Sequence, residues 1–263
     1  MTHNNKRLPG LLAPLIILLM FGGIYAISNL NKEGEEETKQ IKNSDISYIP
    51  FGDSFTIGLG VAEPHRWPNM MVENFAKEDI SIKILENPAV SGYTVRDMIN
   101  FELPILETLR PDFVTVFIGT NDSFVQKDVV VFEKDYKELL DKIQKLLPDP
   151  KSIVLITIPD YSKFPALKHY RRINYSESIT SYNEVIRQES VDRDLILADI
   201  YPVSQKMTDE QDFIPDGLHP SGAGYVKWER VIYPKVRELL LKSPPRWNTF
   251  VMKSVQTETI FFG

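Results

Sequence analysis

The chain has 263 residues, of which 43% are hydrophobic and 25% are charged, and its formal net charge is −6. These proportions are typical of a globular protein and argue against a disordered or coiled-coil chain. Because the sequence contains no cysteine, a disulfide framework, a Cys-ligated metal site and a thiol nucleophile are excluded, and the acidic balance argues against a nucleic-acid partner, which would require clustered Lys and Arg.

The first predicted element is an apolar segment near the N-terminus. Residues 8–31 carry no charged side chain, and Lys6 and Arg7 precede them. About 20 apolar residues suffice to span a bilayer, and a positive flank stays cytoplasmic. We therefore interpret residues 1–31 as a membrane anchor that holds the following domain outside the cytoplasm. A cleaved signal peptide with secretion is the alternative, because small residues such as Ala26 lie near its end, and a buried helix of a soluble domain is a third interpretation.

The next segments are a linker and a body built from apolar runs. Residues 32–45, rich in Glu, Lys and Asn, predict a solvated linker with little to bury. In residues 46–241, continuous runs of Ile, Val, Leu and Phe are typical of buried parallel strands. Five such runs occur, at Ile46–Phe51, Ile80–Leu85, Phe113–Ile118, Ile153–Ile158 and Leu195–Ile200.

Helical patterns separate these runs. Apolar residues with helical spacing in Phe132–Leu147 and Tyr225–Leu240 each predict a helix with one buried face. Thr94 and Asp97 are typical of a capping box at the start of another helix. Five strands alternating with helices predict one α/β domain, a three-layer α/β/α sandwich around a central five-stranded parallel sheet. Residues 242–263 match no predicted element, and their role stays open.

The residues that follow the first three runs are candidate site residues, because ligands of such sheets bind beyond the carboxyl ends of the strands. Ser54 ends the tripeptide Gly52-Asp53-Ser54, and a serine at a strand-to-helix turn can expose its hydroxyl. Gly92 follows the second run and can offer an unobstructed backbone N–H group. Asn121 follows the third run and can donate its side-chain amide to a developing oxyanion. Taken alone, each motif is also typical of an ordinary turn.

A fourth motif, D-G-L-H-P at residues 216–220, precedes the last predicted helix. A serine nucleophile needs a base that takes its proton, and the base needs a carboxylate that fixes its tautomer. His219 and Asp216, three residues apart in one loop, can fill these two roles for Ser54. No H-E-x-x-H motif and no pair of histidines at metal-ligand spacing occurs, so we predict neither a metal nor another cofactor.

Together the four motifs resemble the SGNH (GDSL-like) hydrolase superfamily, whose four blocks contribute Ser, Gly, Asn and His. The matching residues are Ser54 in G-D-S, Gly92 in N-P-A-V-S-G, Asn121 in G-T-N-D and His219 in D-G-L-H-P. The resemblance covers about residues 46–241 and implies a flavodoxin-like α/β/α fold with a catalytic Ser54, His219 and Asp216. It also implies an oxyanion hole formed by the backbone N–H groups of Ser54 and Gly92 and by the amide of Asn121.

We therefore predict an extracytoplasmic serine esterase that hydrolyses carboxylic esters through an acyl-enzyme on Ser54. A domain that faces outward is expected to act on an O-acetylated carbohydrate or on a lysophospholipid-type ester. Acyl transfer at the same site is the alternative activity, and an inactive surface-binding module is the alternative without catalysis. The sequence sets no expectation for the oligomeric state.

Overall fold

The computed structural model of the protein describes residues 45–167 and 175–242. The predicted N-terminal anchor, the predicted linker except Asp45, and the predicted tail except Lys242 lie outside these residues, so the interpretations given for them stay predictions. Within the two described ranges, no helix is both long and apolar enough to cross a bilayer.

A five-stranded parallel sheet lies at the centre of the described chain. Its strands are β1 (Ile46–Gly52), β2 (Ile82–Ile84), β3 (Phe113–Phe117), β4 (Ile153–Ile156) and β5 (Ile196–Ala198). They are hydrogen-bonded in the order β2-β1-β3-β4-β5, and every neighbouring pair is parallel. This is the strand order of flavodoxin-like folds. The central strands β3 and β4 are buried along their whole length, which explains why their residues form continuous apolar runs.

Helices cover both faces of this sheet. In chain order the described helices are α1 (Ser54–Ile57), α2 (Trp67–Ala76), α3 (Val95–Asp97), α4 (Leu106–Leu109), α5 (Thr120–Phe124), α6 (Val129–Leu146), α7 (Tyr175–Asp192), α8 (Tyr201–Ser204) and α9 (Gly222–Lys242). Helices α2 and α9 pack against each other on one face, and α6 and α7 pack against each other on the other face. The predicted α/β fold with a five-stranded parallel sheet is therefore confirmed.

The capping box predicted at residues 94–97 is present at the start of α3. Thr94 Oγ1 accepts the Asp97 N–H, and the Asp97 carboxylate accepts the Thr94 N–H at 2.9 Å. The helix that begins here does not stay α-helical, because a π-helical turn (Met98–Glu102) and a 3₁₀ turn (Leu103–Ile105) follow before α4. A π turn is rare in proteins and often occurs at a functional site.

Four of the five strands, β2 to β5, are shorter than the apolar runs that predicted them. The fourth run continues to Ile158, but β4 ends at Ile156. Beyond the strand, the Ile158 N–H donates to Asn183 Oδ1 at 2.8 Å, and the Ile158 carbonyl accepts from Asn183 Nδ2 at 2.9 Å. A buried side chain of α7 thus satisfies backbone groups that a neighbouring strand would otherwise satisfy. The edge strands β2 and β5 have three residues each, because an edge strand has only one neighbour to pair with.

We predict that Asn183→Ala destabilises the fold. The substitution leaves the N–H and the carbonyl of Ile158 buried without partners, at a cost of about 1–3 kcal/mol for each group. Urea unfolding should show this loss in the free energy of unfolding. Gln188→Ala, which removes an exposed amide from the same helix, should change that free energy by less than about 0.5 kcal/mol. Equal stabilities of the two variants would contradict the role assigned to Asn183.

Candidate active site

The carboxyl ends of β1 and β3 form the crevice in which the candidate residues collect. The strand β1 lies between β2 and β3, so the chain order reverses at this strand, and open α/β sheets bind ligands at such a reversal. Gly52 pairs with Phe117 at the ends of β1 and β3. Ser54 and Asn121 follow within a few residues, which brings the first and third motifs side by side.

Ser54 is the first residue of α1, directly after the turn that leaves β1. The Asp53 carboxylate caps this helix by accepting the Phe55 N–H at 3.0 Å, and the Asp53 carbonyl accepts the next two amides, also at 3.0 Å. The first amides of a helix have no acceptor within the helix itself, and the Ser54 N–H has none in the described part of the chain. The turn therefore leaves Ser54 with a hydroxyl and an uncommitted backbone donor.

His219 and Asp216 lie in a tight loop ahead of α9. Asp216 Oδ1 accepts the backbone N–H groups of Leu218 at 2.8 Å and His219 at 2.9 Å. The His219 carbonyl accepts the Ile214 N–H at 2.9 Å, which closes the loop. Gly217, at the turn, has a φ of +67°, in the left-handed region that favours glycine. One oxygen of Asp216 thus shapes the loop and leaves the other oxygen for the imidazole ring.

A chain of two hydrogen bonds joins the three side chains predicted to be catalytic. Asp216 Oδ2 lies 2.7 Å from His219 Nδ1, and His219 Nε2 lies 2.9 Å from Ser54 Oγ. Because a carboxylate only accepts, Nδ1 carries the proton, and Nε2 of the neutral ring accepts the Ser54 hydroxyl. Burial opposes the charge on Asp216, but the His219 ring and two backbone amides donate to it, and together they hold the pKa of Asp216 below its ordinary value.

Aromatic packing limits the rotation of the His219 ring. The ring centre lies 5.5 Å from that of Phe55 in α1. Phe55 is itself enclosed by Phe117 of β3, at 5.9 Å, and by Trp228 of α9, at 5.2 Å. The His219 side chain is only 12% exposed, whereas that of Asp216 is 40% exposed. The imidazole is therefore held by packing as well as by its hydrogen bonds.

Gly92 lies in the turn that follows β2. The Tyr93 N–H donates to the Val90 carbonyl at 3.2 Å and closes this turn. The φ of Gly92 is +88°, in the left-handed region, and a Cβ atom there would meet none of the described residues within 4 Å. Glycine is therefore needed for its backbone conformation, and the space beside it is open to a ligand.

Asn121 connects the first three motifs. Its Nδ2 atom donates to the Tyr93 carbonyl at 2.9 Å and to Asp53 Oδ2 at 3.3 Å. These two acceptors are the direct neighbours of Gly92 and Ser54. Both amide hydrogens are engaged, and the bond to Asp53 is the longer and weaker one. To donate to an oxyanion, Asn121 would therefore have to use the amide hydrogen that it donates to Asp53 here.

Three buried acidic residues that the sequence analysis did not assign to the site lie next to these motifs: Asp53, Glu102 and Asp122. Burial raises the pKa of Asp53 to about 7 and that of Glu102 to about 9, although a backbone amide donates to each carboxylate. Burial likewise raises the pKa of Asp122. Groups with perturbed pKa values are typical of functional sites.

Asp122 connects α5 to α3. Its Oδ2 atom accepts the Val95 N–H at 2.9 Å, and its Oδ1 atom pairs with Lys127 Nζ at 3.1 Å. Lys127 also pairs with Asp135 at 2.6 Å, and Asp135 pairs with Arg96. A series of alternating charges thus runs from the buried Asp122 toward the surface. It holds α3, which follows the Gly92 motif, against α5, which contains Asn121.

The arrangement provides the groups that covalent acyl transfer requires. Ser54 supplies a nucleophile, His219 a base, and Asp216 a group that orients the base. Two further groups are candidate donors: the Asn121 amide, which donates to Asp53 beside Ser54, and the backbone of Gly92, the neighbour of Tyr93, whose carbonyl accepts from the same amide. Within the described ranges, no cluster of three or more His, Asp or Glu side chains is arranged to bind a metal ion.

Fold and site together define the class of a hydrolase with a Ser–His–Asp arrangement on a flavodoxin-like sheet. The sequence model of the GDSL-like Lipase/Acylhydrolase family matches residues 51–227, more than half of the chain. The protein belongs to this family. The predicted relation to SGNH (GDSL-like) hydrolases, and with it the predicted class of enzyme, is confirmed.

Several known proteins are similar to this chain. A "Multidomain esterase" of Ruminococcus flavefaciens is 27% identical in an alignment 218 residues long, which covers 69% of this chain and 27% of that protein's length. Among solved structures, TesA has a TM-score of 0.61 at 18% identity and covers 73% of this chain and 99% of its own. Axe2, an acetylxylan esterase from Geobacillus stearothermophilus, has a TM-score of 0.59 at 20% identity and covers 74% and 95%. At these identities the solved structures show a shared fold.

Proposed function

We propose that the protein is a serine esterase that hydrolyses carboxylic esters through an acyl-enzyme on Ser54. The observation that carries this proposal is the pair of hydrogen bonds, 2.7 and 2.9 Å long, that joins Asp216 to His219 and His219 to Ser54. Membership of the GDSL-like family supports it.

Acylation begins when Ser54 Oγ attacks the carbonyl carbon of the ester. A serine hydroxyl is a weak nucleophile at its own pKa, so His219 Nε2 takes the proton as the new C–O bond forms. Asp216 stabilises the imidazolium that results. When the tetrahedral intermediate collapses, His219 returns the proton to the oxygen of the leaving alcohol, and the acyl group stays on Ser54.

The negative oxygen of the intermediate binds in a hole formed by three donors. These are the backbone N–H groups of Ser54 and Gly92 and the side-chain amide of Asn121. Each donor of this kind is typically worth about 3–4 kcal/mol of transition-state stabilisation. As Asn121 turns a hydrogen to the oxyanion, its longer bond to Asp53 weakens, so Asp53 shares in the response of the site to the developing charge.

Deacylation repeats the same steps with water as the nucleophile. His219 takes a proton from the water molecule, the oxygen attacks the acyl carbon, and the same donors stabilise the second intermediate. The carboxylic acid then leaves, and His219 returns the proton to Ser54. In each half-reaction His219 acts first as a base and then as an acid, so the protons balance without a cofactor.

We propose an O-acetylated carbohydrate as the substrate class, and a lysophospholipid-type ester as its competitor. The similarity to Axe2, which is by name an acetylxylan esterase, supports the choice of a short acyl group on a sugar. The family itself is named for lipases as well as acylhydrolases, which supports the competitor.

A panel of p-nitrophenyl acetate, butyrate and palmitate tests this choice. We expect kcat/KM to be highest for the acetate, and a maximum at palmitate would instead support the lysophospholipid-type substrate. Product analysis with added xylose oligomers separates the two reactions at this site: free acetate indicates hydrolysis, and an acetylated sugar indicates acyl transfer. No turnover of any ester, with or without the acceptor, would favour a binding module.

The catalytic assignment predicts that Ser54 and His219 act as one unit. Ser54→Ala and His219→Ala should each lower kcat by on the order of 10⁶-fold, and the double variant should be no slower than either. Asp216→Asn should lose no more than about 10⁴-fold, because the imidazole remains but its tautomer is less well held. Ser81→Ala, which changes an exposed serine next to the other end of β1, is the control and should retain full activity. Losses that multiply in the double variant would contradict the assignment.

A further inference from the structure

Glu102 is a buried acid that the proposed mechanism does not use. Only 1% of its surface is exposed, and it is the last residue of the π-helical turn Met98–Glu102. The apolar residues on either side, Met98, Ile99 and Leu103, are buried in the core. A buried acid destabilises the fold unless it is neutral or hydrogen-bonded. The contacts of Glu102 therefore indicate its role.

The carboxyl group of Glu102 binds the end of β1. Glu102 Oε2 accepts the Gly52 N–H at 3.1 Å. On this side of β1 the neighbour β2 ends at Ile84, and its last contact is the bond from Leu85 N–H to the Tyr48 carbonyl. Because backbone groups along a strand point alternately to its two neighbours, Gly52 faces the same side as Tyr48, where no strand remains. Glu102 takes the place of the missing strand.

This bond lies two residues before Ser54. The backbone of Gly52 packs closely on its neighbours and leaves no room for a side chain, because a Cβ atom there would lie 2.1 Å from Thr56 Oγ1 and 2.7 Å from the Phe117 carbonyl. The residue between, Asp53, caps α1 and accepts the Asn121 amide. A shift of Gly52 would therefore move the nucleophile and the acceptor of Asn121 together.

The surroundings of Glu102 favour its protonated form. Burial raises its pKa to about 9; the Gly52 amide opposes this increase, and the negative charges of Asp53 and Asp97 add to it. These two carboxylates are the titratable groups that face it from β1's end and from α3. Arg96, the nearest cation in α3, is engaged with Asp135 and with Glu138 of α6. The second oxygen of Glu102 is buried and has no partner among the described residues, so no described cation contacts it.

We propose that Glu102 is a positioning residue of the Ser54 turn: in its protonated form it holds the Gly52 amide, and its ionisation sets the alkaline limit of the reaction. The proposal rests on the esterase function proposed for Ser54. Ionisation would place a second negative charge beside that of Asp53 in a site without solvent, and the two carboxylates would repel each other. The repulsion would displace the turn that carries the nucleophile.

Three variants test this role through the pH dependence of kcat. Glu102→Gln keeps a neutral acceptor of the same shape at every pH, whereas Glu102→Leu removes the acceptor. Glu107→Gln, which changes an exposed glutamate in α4, is the matched control. With p-nitrophenyl acetate, kcat of the wild type and of the control should fall as the pH rises through about 9. Glu102→Gln should keep the neutral-pH kcat and lack this fall. Glu102→Leu should lower kcat by on the order of 10²-fold with little change in KM, as expected for a displaced nucleophile.

An infrared measurement reports on Glu102 without relying on activity. The difference spectrum between the wild type and Glu102→Gln at neutral pH should contain a protonated-carboxyl band that disappears as the pH passes about 9. Asp53 is present in both proteins, and its own titration, near pH 7, is read separately from the Glu102→Gln spectra. Absence of the band would overturn the proposal, and so would an alkaline fall in kcat shared by the wild type and Glu102→Gln.

The two proposals fail in different ways. A wild-type protein that turns over no ester but shows the titrating band would refute the esterase function and leave the protonated state of Glu102 established. An active wild type whose alkaline limit survives in Glu102→Gln would refute the role of Glu102 and leave the esterase function standing. If Glu102→Leu does not fold, the comparison of the wild type with Glu102→Gln and Glu107→Gln still decides the question.

Discussion

The hydrogen bond between Ser54 Oγ and His219 Nε2 joins two parts of the chain that are 165 residues apart, and the surrounding architecture keeps its two ends in place. The end of β1 and the Asp53 cap fix the serine. The loop ahead of α9, shaped by Asp216, fixes the histidine. The aromatic ring of Phe55 connects the two ends, because Phe55 follows Ser54 in α1 and its ring packs on that of His219. Sheet, helix and loop are therefore joined through one hydrogen bond.

The buried acids next to this hydrogen bond lower the stability of the fold, and the apolar core offsets the loss. Asp53, Glu102 and Asp122 are almost fully buried, and burying a charged group is expensive unless it is paired or neutralised. Each of the three buried carboxyl groups is stabilised in a different way. Asp122 pairs with Lys127, burial raises the pKa of Glu102 to about 9 and so favours its neutral form, and Asp53 accepts hydrogen bonds from Phe55 and Asn121. The three acids accept backbone N–H groups at the end of β1 and at the starts of α1 and α3, where the strand or helix itself offers no acceptor.

Much of this arrangement could be predicted from the sequence because two physical rules leave few alternatives. Continuous apolar runs indicate buried parallel strands, and parallel strands bring their carboxyl ends to one edge of the sheet. Ser54, Gly92 and Asn121 each follow such a run, so their proximity follows from topology alone. The pairing of His219 with Asp216 follows from their spacing within one loop.

The features that the sequence did not predict depend on contacts between residues that are far apart in the sequence. The early end of β4 depends on Asn183, a side chain from a helix that begins well after the strand. The double engagement of Asn121 depends on where Tyr93 and Asp53 lie in space. For Glu102 the sequence does contain a signal, because an acid occupies a position that helical spacing from Val95 and Ile99 assigns to the buried face. An isolated polar residue in such a pattern is easily taken for a solvated one, and only the buried Gly52 amide shows otherwise.

Covalent labelling with a serine-directed phosphonate, mapped by peptide mass spectrometry, tests the central claim most directly. We expect one adduct, on Ser54, that forms in the wild type and fails to form in His219→Ala. An adduct on another residue, or labelling of Ser54 at the same rate without His219, would contradict the account.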